Sequence, residues 1–311
     1  MAARELVVLG SASQVPTRTR NHNGYFLRWD DEGVLFDPGE GTQRQMLFAG
    51  VPSSAVTRVC ITHFHGDHCL GLAGVLQRMS LDGAGKAVTV AYPASGEPYL
   101  QRLRHASIFN DRLELRLLPV DVDRSATMPV RVDDTGTWTL SAAPLRHPVD
   151  TIGWRVEEHP GRRMLPDRLA GDGIGGPDVG RLRREGAIIV GGRRVTLEET
   201  SAVRRGQVVA FVMDTAWCDG ALALADGADL LVCEATFGAA DAHLAAAYGH
   251  LTATEAGRLA ARAGARRLVL THFSQRYPDV GHLLEEAQAQ FAGEVVAASD
   301  LDTVAVPRRA Q

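Results

Sequence analysis

The chain has 311 residues, 45% of them hydrophobic, with a formal net charge of −4 and a pI near 6.3. That length suits one large or two medium domains with a full core. The acidic balance excludes a whole-protein basic footprint, so any polyanion must be met by a local patch, and no stretch reaches membrane-spanning length. Arginine supplies nearly all the basic charge, Lys86 being the single lysine, which fits a high-GC genome better than a choice for phosphate. Met1-Ala2-Ala3-Arg4-Glu5 runs into a strand-like segment without an apolar signal core, so a cytoplasmic protein is expected. Cys60, Cys69, Cys218 and Cys233 are irregularly spaced, three of them in or beside apolar runs, and read as reduced, mostly buried thiols.

Glu5 to Gly10 reads as a strand, and Ser11 to Asn23 as a polar loop. Within that loop Arg18 and Arg20 form a candidate phosphate cradle, with an ordinary solvated connection as the alternative, and Asn21 beside them is a further candidate RNA contact. Gly24 to Trp29 and Gly33 to Phe36 form a hairpin around Asp30-Asp31-Glu32-Gly33, and Thr42 to Phe48 is a helix. Between them Asp37 ends a strand, where a carboxylate usually caps a turn.

The next stretch organises the chain. Thr62-His63-Phe64-His65-Gly66-Asp67-His68 follows the β-branched run Val56 to Ile61 and precedes the helical run Leu70 to Leu76. Three imidazoles and a carboxylate in so short a loop are unfavourable to place together unless a cation holds them. In extended chain His63 and His65 point the same way, and Gly66 lets Asp67 and His68 face a second point, which suggests two ions. Cys69 follows directly and reads as a small helix residue, with metal contact as the alternative.

Further on, Lys86 to Ala91 is expected as a strand, Gly96 to Ala106 as a helix, and Leu113 to Pro119 and Thr137 to Ala142 as strands. His147 follows, a candidate to complete a metal shell. The second half repeats the order of the first: Val208 to Asp214 parallels Val34 to Asp37, and Ala265 to Phe273 parallels Thr57 to Phe64. Two facing strand-and-helix halves then bring Asp214 and His272 to the cluster, the alternative being a turn cap and a core histidine. The buried run Leu231 to Phe237 carries Glu234, and His250 precedes a helix opened by the capping box Thr252 and Glu255. Glu234 beside His250 would raise the imidazole's pKa and favour a proton donor. A helix over Gly281 to Phe291 and a strand over Glu294 to Ala297 close the domain.

Residues 155–194 break the pattern. They start as a strand and then run through Arg162, Arg163, Gly176, Pro177, Arg181, Arg183 and Arg184 among many glycines. Gly and Pro oppose compact packing and Arg outnumbers the acids, so the stretch reads as a projecting, mobile, basic arm on a single domain spanning 1–311, or as a solvated insertion.

The His63-x-His65-x-Asp67-His68 run, with His147, Asp214 and His272, resembles the metallo-β-lactamase superfamily across nearly the whole chain. Pro16 to Asn21, Phe36 to Gln45, Glu234-Ala235-Thr236 and the Gly-Pro arm are similar to the ribonuclease Z family within it. The resemblance implies an α/β fold, an αββα sandwich with a projecting arm, holding two zinc ions, with Mn or Fe as alternatives at such ligands. It implies that His63, His65 and His147 hold one ion, that Asp67, His68 and His272 hold the other, and that Asp214 bridges. Asp67 is then the proton acceptor, with His250 and Glu234 near the leaving group. It further implies a homodimer in which the arm, including Arg162, Arg163, Gly176, Pro177, Arg181, Arg183 and Arg184, clamps precursor tRNA. Cys233 stands where the family has His, and Leu251 where it has Ser. The expected reaction is removal of the 3′ trailer by a metal-bound hydroxide, leaving a 3′-hydroxyl on the tRNA and a 5′-phosphate on the trailer. A small-molecule hydrolase on the same sandwich (phosphodiesterase, lactonase or thioesterase), and a non-catalytic RNA-binding protein with a relic metal site, are the alternatives.

Overall fold

A computed structural model describes residues 4–83, 87–121 and 123–309. The first half runs β1 (Arg4–Gly10), β2 (Gly24–Trp29), β3 (Glu32–Phe36), α1 (Thr42–Phe48), β4 (Arg58–Cys60), α2 (Gly66–Cys69), α3 (Leu72–Asp82), β5 (Val88–Pro93), α4 (Glu97–Arg104) and β6 (Leu115–Val120). Then come β7 (Val130–Asp134), β8 (Trp138–Pro144) and β9 (Ile152–Glu158). An excursion follows: β10 (Gly161–Met164), α5 (Pro166–Gly171), α6 (Pro177–Glu185), β11 (Ala187–Val190), β12 (Arg193–Thr196), α7 (Leu197–Thr200) and β13 (Ser201–Arg204). The chain returns through β14 (Val208–Val212), α8 (Asp219–Ala225), β15 (Leu230–Glu234), α9 (Ala242–Tyr248), α10 (Ala253–Arg262), β16 (Arg267–Thr271), α11 (Gly281–Gln288), β17 (Glu294–Ala297) and β18 (Thr303–Ala305).

Alternation along the strands decides the layers. In β1, Leu6 and Val8 join one buried cluster and Val7 and Leu9 another; in β14, Val209 and Phe211 face the first cluster and Val208, Ala210 and Val212 a third. A strand apolar on both faces must be covered on both. The shared cluster therefore lies between two seven-stranded sheets, ordered β18-β1-β2-β3-β4-β5-β6 and β17-β16-β15-β14-β9-β8-β7. Residues of α1 and α3 cover the outside of the first, and those of α8, α10 and α11 the outside of the second. This is the expected αββα sandwich. Among the described residues no helix is long and apolar enough to cross a membrane.

Strand direction sets the place of the site. β3 to β6 are mutually parallel, as are β14 to β17. β8 runs with β14, because each is antiparallel to β9. The carboxyl ends of β3, β4, β8, β14, β15 and β16 thus share one edge, and Asp37, His63, His147, Asp214, Glu234 and His272 stand at those ends. Asp37, Asp214 and His272 adopt positive φ (42°, 48° and 61°). A left-handed conformation in non-glycine residues is unfavourable and clusters where side chains must be re-aimed.

Several expectations shift. The strand expected from Lys86 begins at Val88, and Lys86 itself lies outside the described residues. The helix near 96–106 is confined to α4. β7 and β18 were not expected.

The arm differs more. Its expected start at 155 falls inside β9, which pairs with β8 and β14 in the main sheet; the excursion proper spans Gly161 to Arg204. It is also packed, contrary to the expectation from Gly and Pro. Leu169, Ile174, Leu182, Ile188 and Val195 are all buried in a small core of their own. β10 pairs with β13, and β11 with β12 through a two-residue turn in which Gly191 and Gly192 have φ of 56° and 79°, as a type I′ turn demands. At its root Glu158 accepts from Arg204 Nη2 (2.8 Å) and the Gln207 backbone N–H (2.9 Å), and pairs with Arg4 Nη1 (3.0 Å). Burial opposes the charge, yet Arg204, Arg4 and the backbone outweigh it and hold the carboxyl at about 2. A Cβ on Gly206 would sit 1.9 Å from the Glu158 carbonyl oxygen, so the return strand needs glycine there.

Candidate metal centre

The structure brings all seven expected ligands together. His65 Nδ1 lies 3.0 Å from His63 Nε2 and 3.4 Å from His147 Nε2, and Asp214 Oδ2 lies 3.6 and 3.8 Å from those two Nε2 atoms. On the other side Asp67 Oδ2 lies 3.4 Å from His68 Nε2 and 3.5 Å from His272 Nε2. Asp214 stands between the groups, 3.4 Å from His68 Nε2 and 3.1 Å from His272 Nε2. Ligands at about 2.0 to 2.2 Å around a tetrahedral cation are separated by roughly 3.3 Å, so these spacings are those of coordination edges.

The outer hydrogen bonds fix which nitrogen faces inward. The Thr62 hydroxyl donates to Asp37 Oδ2 (2.7 Å), so toward His63 Nδ1 (3.0 Å) it can only accept. Thr236 likewise donates to Glu234 Oε2 (2.5 Å) and accepts from His272 Nδ1 (2.7 Å). His147 Nδ1 faces the Gly249 carbonyl (3.0 Å), and His68 Nδ1 faces the Asp37 carboxylate (2.8 Å). In each ring the proton sits on Nδ1 and the Nε2 lone pair points into the cluster. Asp214 Oδ1 and His272 Nε2 are moreover buried without a hydrogen-bond partner. Converging lone pairs and orphaned carboxylate oxygen fit a metal and little else.

Charge agrees. Burial above all drives His63 well below, and His65 and His147 below, the ordinary imidazole value, so these rings are neutral. At His68 burial acts the same way, but Asp214, Asp67 and Asp37 outweigh it and draw a proton. Yet Asn23, oriented by the Tyr25 hydroxyl (2.7 Å), sets its Nδ2 donor 3.2 Å from His68 Nε2, which disfavours a proton on that nitrogen. A metal ion reconciles the two by supplying the positive charge and leaving the ring neutral. Asp67 is held well below the carboxylate range: burial opposes, and His68 and His272 prevail.

Beside the cluster His250 Nδ1 lies 3.1 Å from each Glu234 oxygen. Burial would lower the imidazole, but Glu234 and Asp214 raise it to about 9. A cleft of about 510 Å³ opens over His65, Asp67, His147, Asp214, His250 and His272. Cys69 turns away, its thiol donating to the His65 carbonyl (3.2 Å).

A family model described as Metallo-beta-lactamase superfamily matches residues 17–182. Ribonuclease Z of Salinispora arenicola is 56% identical over 309 residues, covering 99% of this chain and 98% of its own, and that of Streptomyces coelicolor is 56% identical over 310 residues, covering 99% and 100%. The chain belongs to the ribonuclease Z family. In fold it is similar to the crystal structure of human tRNase Z, short form, with TM-score 0.71, 24% identity, and 98% and 100% of the two chains covered. The metallo-beta-lactamase fold protein YhfI of Bacillus subtilis superposes with TM-score 0.69 at 20% identity, covering 98% and 100%.

The ribonuclease Z motifs also carry residues to which the sequence alone assigns no part. Asp37 is no mere turn cap, since it accepts from the Thr62 backbone N–H (2.7 Å) and hydroxyl as well as orienting His68. Its parallel with Asp214 in the repeated order was the available signal. Thr62 and Thr236 gave none as single residues. None of the expected RNA contacts lines the cleft over the metal cluster. Arg20 Nη2 donates to the carbonyls of Ser274 (3.5 Å) and Tyr277 (2.5 Å), and Asn21 Nδ2 to those of His22 (3.1 Å) and Glu40 (2.8 Å), so both brace loops; Arg18 is exposed. On the arm, Arg162 pairs with Glu198 (3.2 Å), Arg181 with Asp178 (3.3 Å), and Arg183 reaches the Arg162 carbonyl (3.4 Å); Arg163, Arg184, Gly176 and Pro177 are exposed.

Proposed function

We propose that this protein is a zinc-dependent endoribonuclease that removes the 3′ trailer from precursor tRNA, leaving a 3′-hydroxyl on the tRNA and a 5′-phosphate on the trailer. The observation that carries the reading is the inward convergence of four Nε2 lone pairs, His65 Nδ1 and two carboxylates on an open cleft, in a chain 56% identical to proteins named Ribonuclease Z. His63, His65 and His147 would hold one ion and Asp67, His68 and His272 the other, with Asp214 placed to serve both; manganese or iron suits the same donors. Bound there, such a pair acts as Lewis acid and lowers the pKa of water toward neutrality.

The chain's own residues handle protons and position. Asp67, ionised and facing the cleft, aligns the attacking water and takes its proton. The water oxygen forms a bond to phosphorus as the P–O3′ bond breaks, and the electron pair goes to O3′. His250, kept charged by Glu234, gives O3′ a proton. The arm, through Arg162, Arg163, Arg181, Arg183 and Arg184 around Gly176 and Pro177, grips the tRNA body, with exposed Arg18 as a further phosphate contact. Arg20 and Asn21 brace the neighbouring loops from within. The protein works in the cytoplasm as a homodimer in which one subunit's arm serves the other's cleft.

The test is cleavage of a 3′-extended precursor tRNA by wild type and by Asp67→Ala, with zinc restored and product ends mapped. A single cut beside the discriminator base, lost in the variant, is expected. An intact precursor alongside hydrolysis of a small diester by the metal-loaded wild type would overturn the reading in favour of a small-molecule hydrolase.

A further inference from the structure

One wall of the cleft carries groups that the proposed chemistry leaves without a part. Phe237 lies against His250, ring centroids 5.9 Å apart, and the Arg276 guanidinium carbon stands 5.5 Å from the Phe237 centroid. Phe237 is buried, so its ring is a fixed plate that holds the guanidinium in place. Arg276 is the one arginine lining this cleft among the described residues. Its nearest anion is Asp241, with Nη1 3.7 Å from Oδ1, too far for a hydrogen bond. The other Asp241 oxygen accepts from the Tyr277 hydroxyl. Asp241 therefore parks the guanidinium without engaging it. The segment that carries Arg276 is pinned from behind, since Arg20 donates to the carbonyls on either side, of Ser274 and Tyr277. A planar cation with five donors, aimed into a cleft and short of acceptors, fits a phosphate.

The direction of cleavage says which phosphate. In the reaction above, O3′ of the last retained nucleotide leaves and takes its proton from His250, so that nucleotide's ribose lies beside His250. The next phosphate toward the tRNA body is the one on the 5′ side of the same nucleotide, and Arg276 stands one ring farther along the wall. We propose that Arg276, held on Phe237, binds the phosphate 5′ to the last retained nucleotide and so sets the register of the cut. The inference rests on the tRNA-processing reading of the cleft. Tyr248, 58% exposed on the same lining, offers a ring face on which a base can stack.

The experiment compares wild type, Arg276→Ala and Arg276→Lys on a 3′-extended precursor, all-phosphate or with one uncharged methylphosphonate at that linkage. On the all-phosphate precursor, Arg276→Ala should lower kcat/KM roughly 10- to 100-fold, mainly through KM, and spread cutting to neighbouring linkages. Lysine should recover part of the loss. The methylphosphonate should cost the wild type a similar factor and cost Arg276→Ala nothing more. Independent, multiplying losses, or a wild type indifferent to the methylphosphonate, would overturn the assignment. Should Arg276→Ala lose its metal or its fold, the wild-type comparison and the lysine variant still decide. A wild type that leaves even the all-phosphate precursor uncut overturns instead the tRNA-processing reading beneath.

Discussion

The metal cluster and the arm are built on opposite plans. In the cluster four of the inward nitrogens are fixed by a partner behind the ring: Thr62 behind His63, Asp37 behind His68, Thr236 behind His272, the Gly249 carbonyl behind His147. The arm has five buried side chains at its centre and arginines outside, joined to the body by two strand ends and the Glu158 hub. The difference teaches that chemistry here needs a preorganised frame, whereas the grip proposed for the arm needs reach and charge.

The largest effect that would separate the two regions comes from removing metal. Dialysis against a chelator should bring precursor cleavage and small-diester hydrolysis alike to background, and zinc should restore both; survival of either activity would break the assignment of chemistry to the cluster. Excision of residues 161–204, closed by a short glycine linker, should cut precursor kcat/KM by about a hundredfold or more while small-diester turnover persists. Equal loss of both would show that the arm is part of the catalytic frame. Asp37→Asn keeps the shape but weakens the acceptor behind His68, and metal affinity measured by chelator competition should fall about 10- to 100-fold. Unchanged affinity would reduce Asp37 to the turn cap that the sequence suggests.

Smaller effects belong to the arm. Replacing Arg163, Arg183 and Arg184 together by alanine should weaken precursor binding and flatten its dependence on log salt by about two to three units of slope, one for each phosphate no longer neutralised. A slope that stays put would place the RNA elsewhere. Glu158 offers the gentlest test. Its folded value near 2 lies below the ordinary carboxyl value of 4.5, so its contribution is full above that ordinary value and fades as pH falls toward 2. The melting temperature of Glu158→Gln should approach that of wild type across this window, and parallel curves would contradict the hub.

The same contrast explains what could be read from the sequence. His63, His65, Asp67 and His68 announce themselves because their spacing has one economical use, and Asp214 and His272 follow from the repeated strand order. Asp37 stayed hidden because a carboxylate after a strand has a commoner local use, and its bond to His68 spans 31 positions. Arg20 looked like a phosphate ligand because its partners, Ser274 and Tyr277, lie more than 250 positions away. The arm's core was missed for another reason. Leu169, Ile174, Leu182, Ile188 and Val195 sit in runs too short, and too broken by glycine and proline, to show a period.

The last strand has a bearing on how the molecule is made. β18 pairs with β1, Ala305 opposite Glu5, and nearby Asp300 accepts from Ser11, from the Asn21 backbone N–H and from Gln45. The loop that ends at Asn23, beside His68, therefore lacks these bonds until residue 300 has emerged. Synthesis proceeds at about 5 to 20 residues per second, so the first-made sheet waits on the order of 15 to 60 seconds for its outermost strand. Through that interval β1 is an open edge, and a half-made chain has neither a closed sheet nor a finished cleft with which to cut RNA.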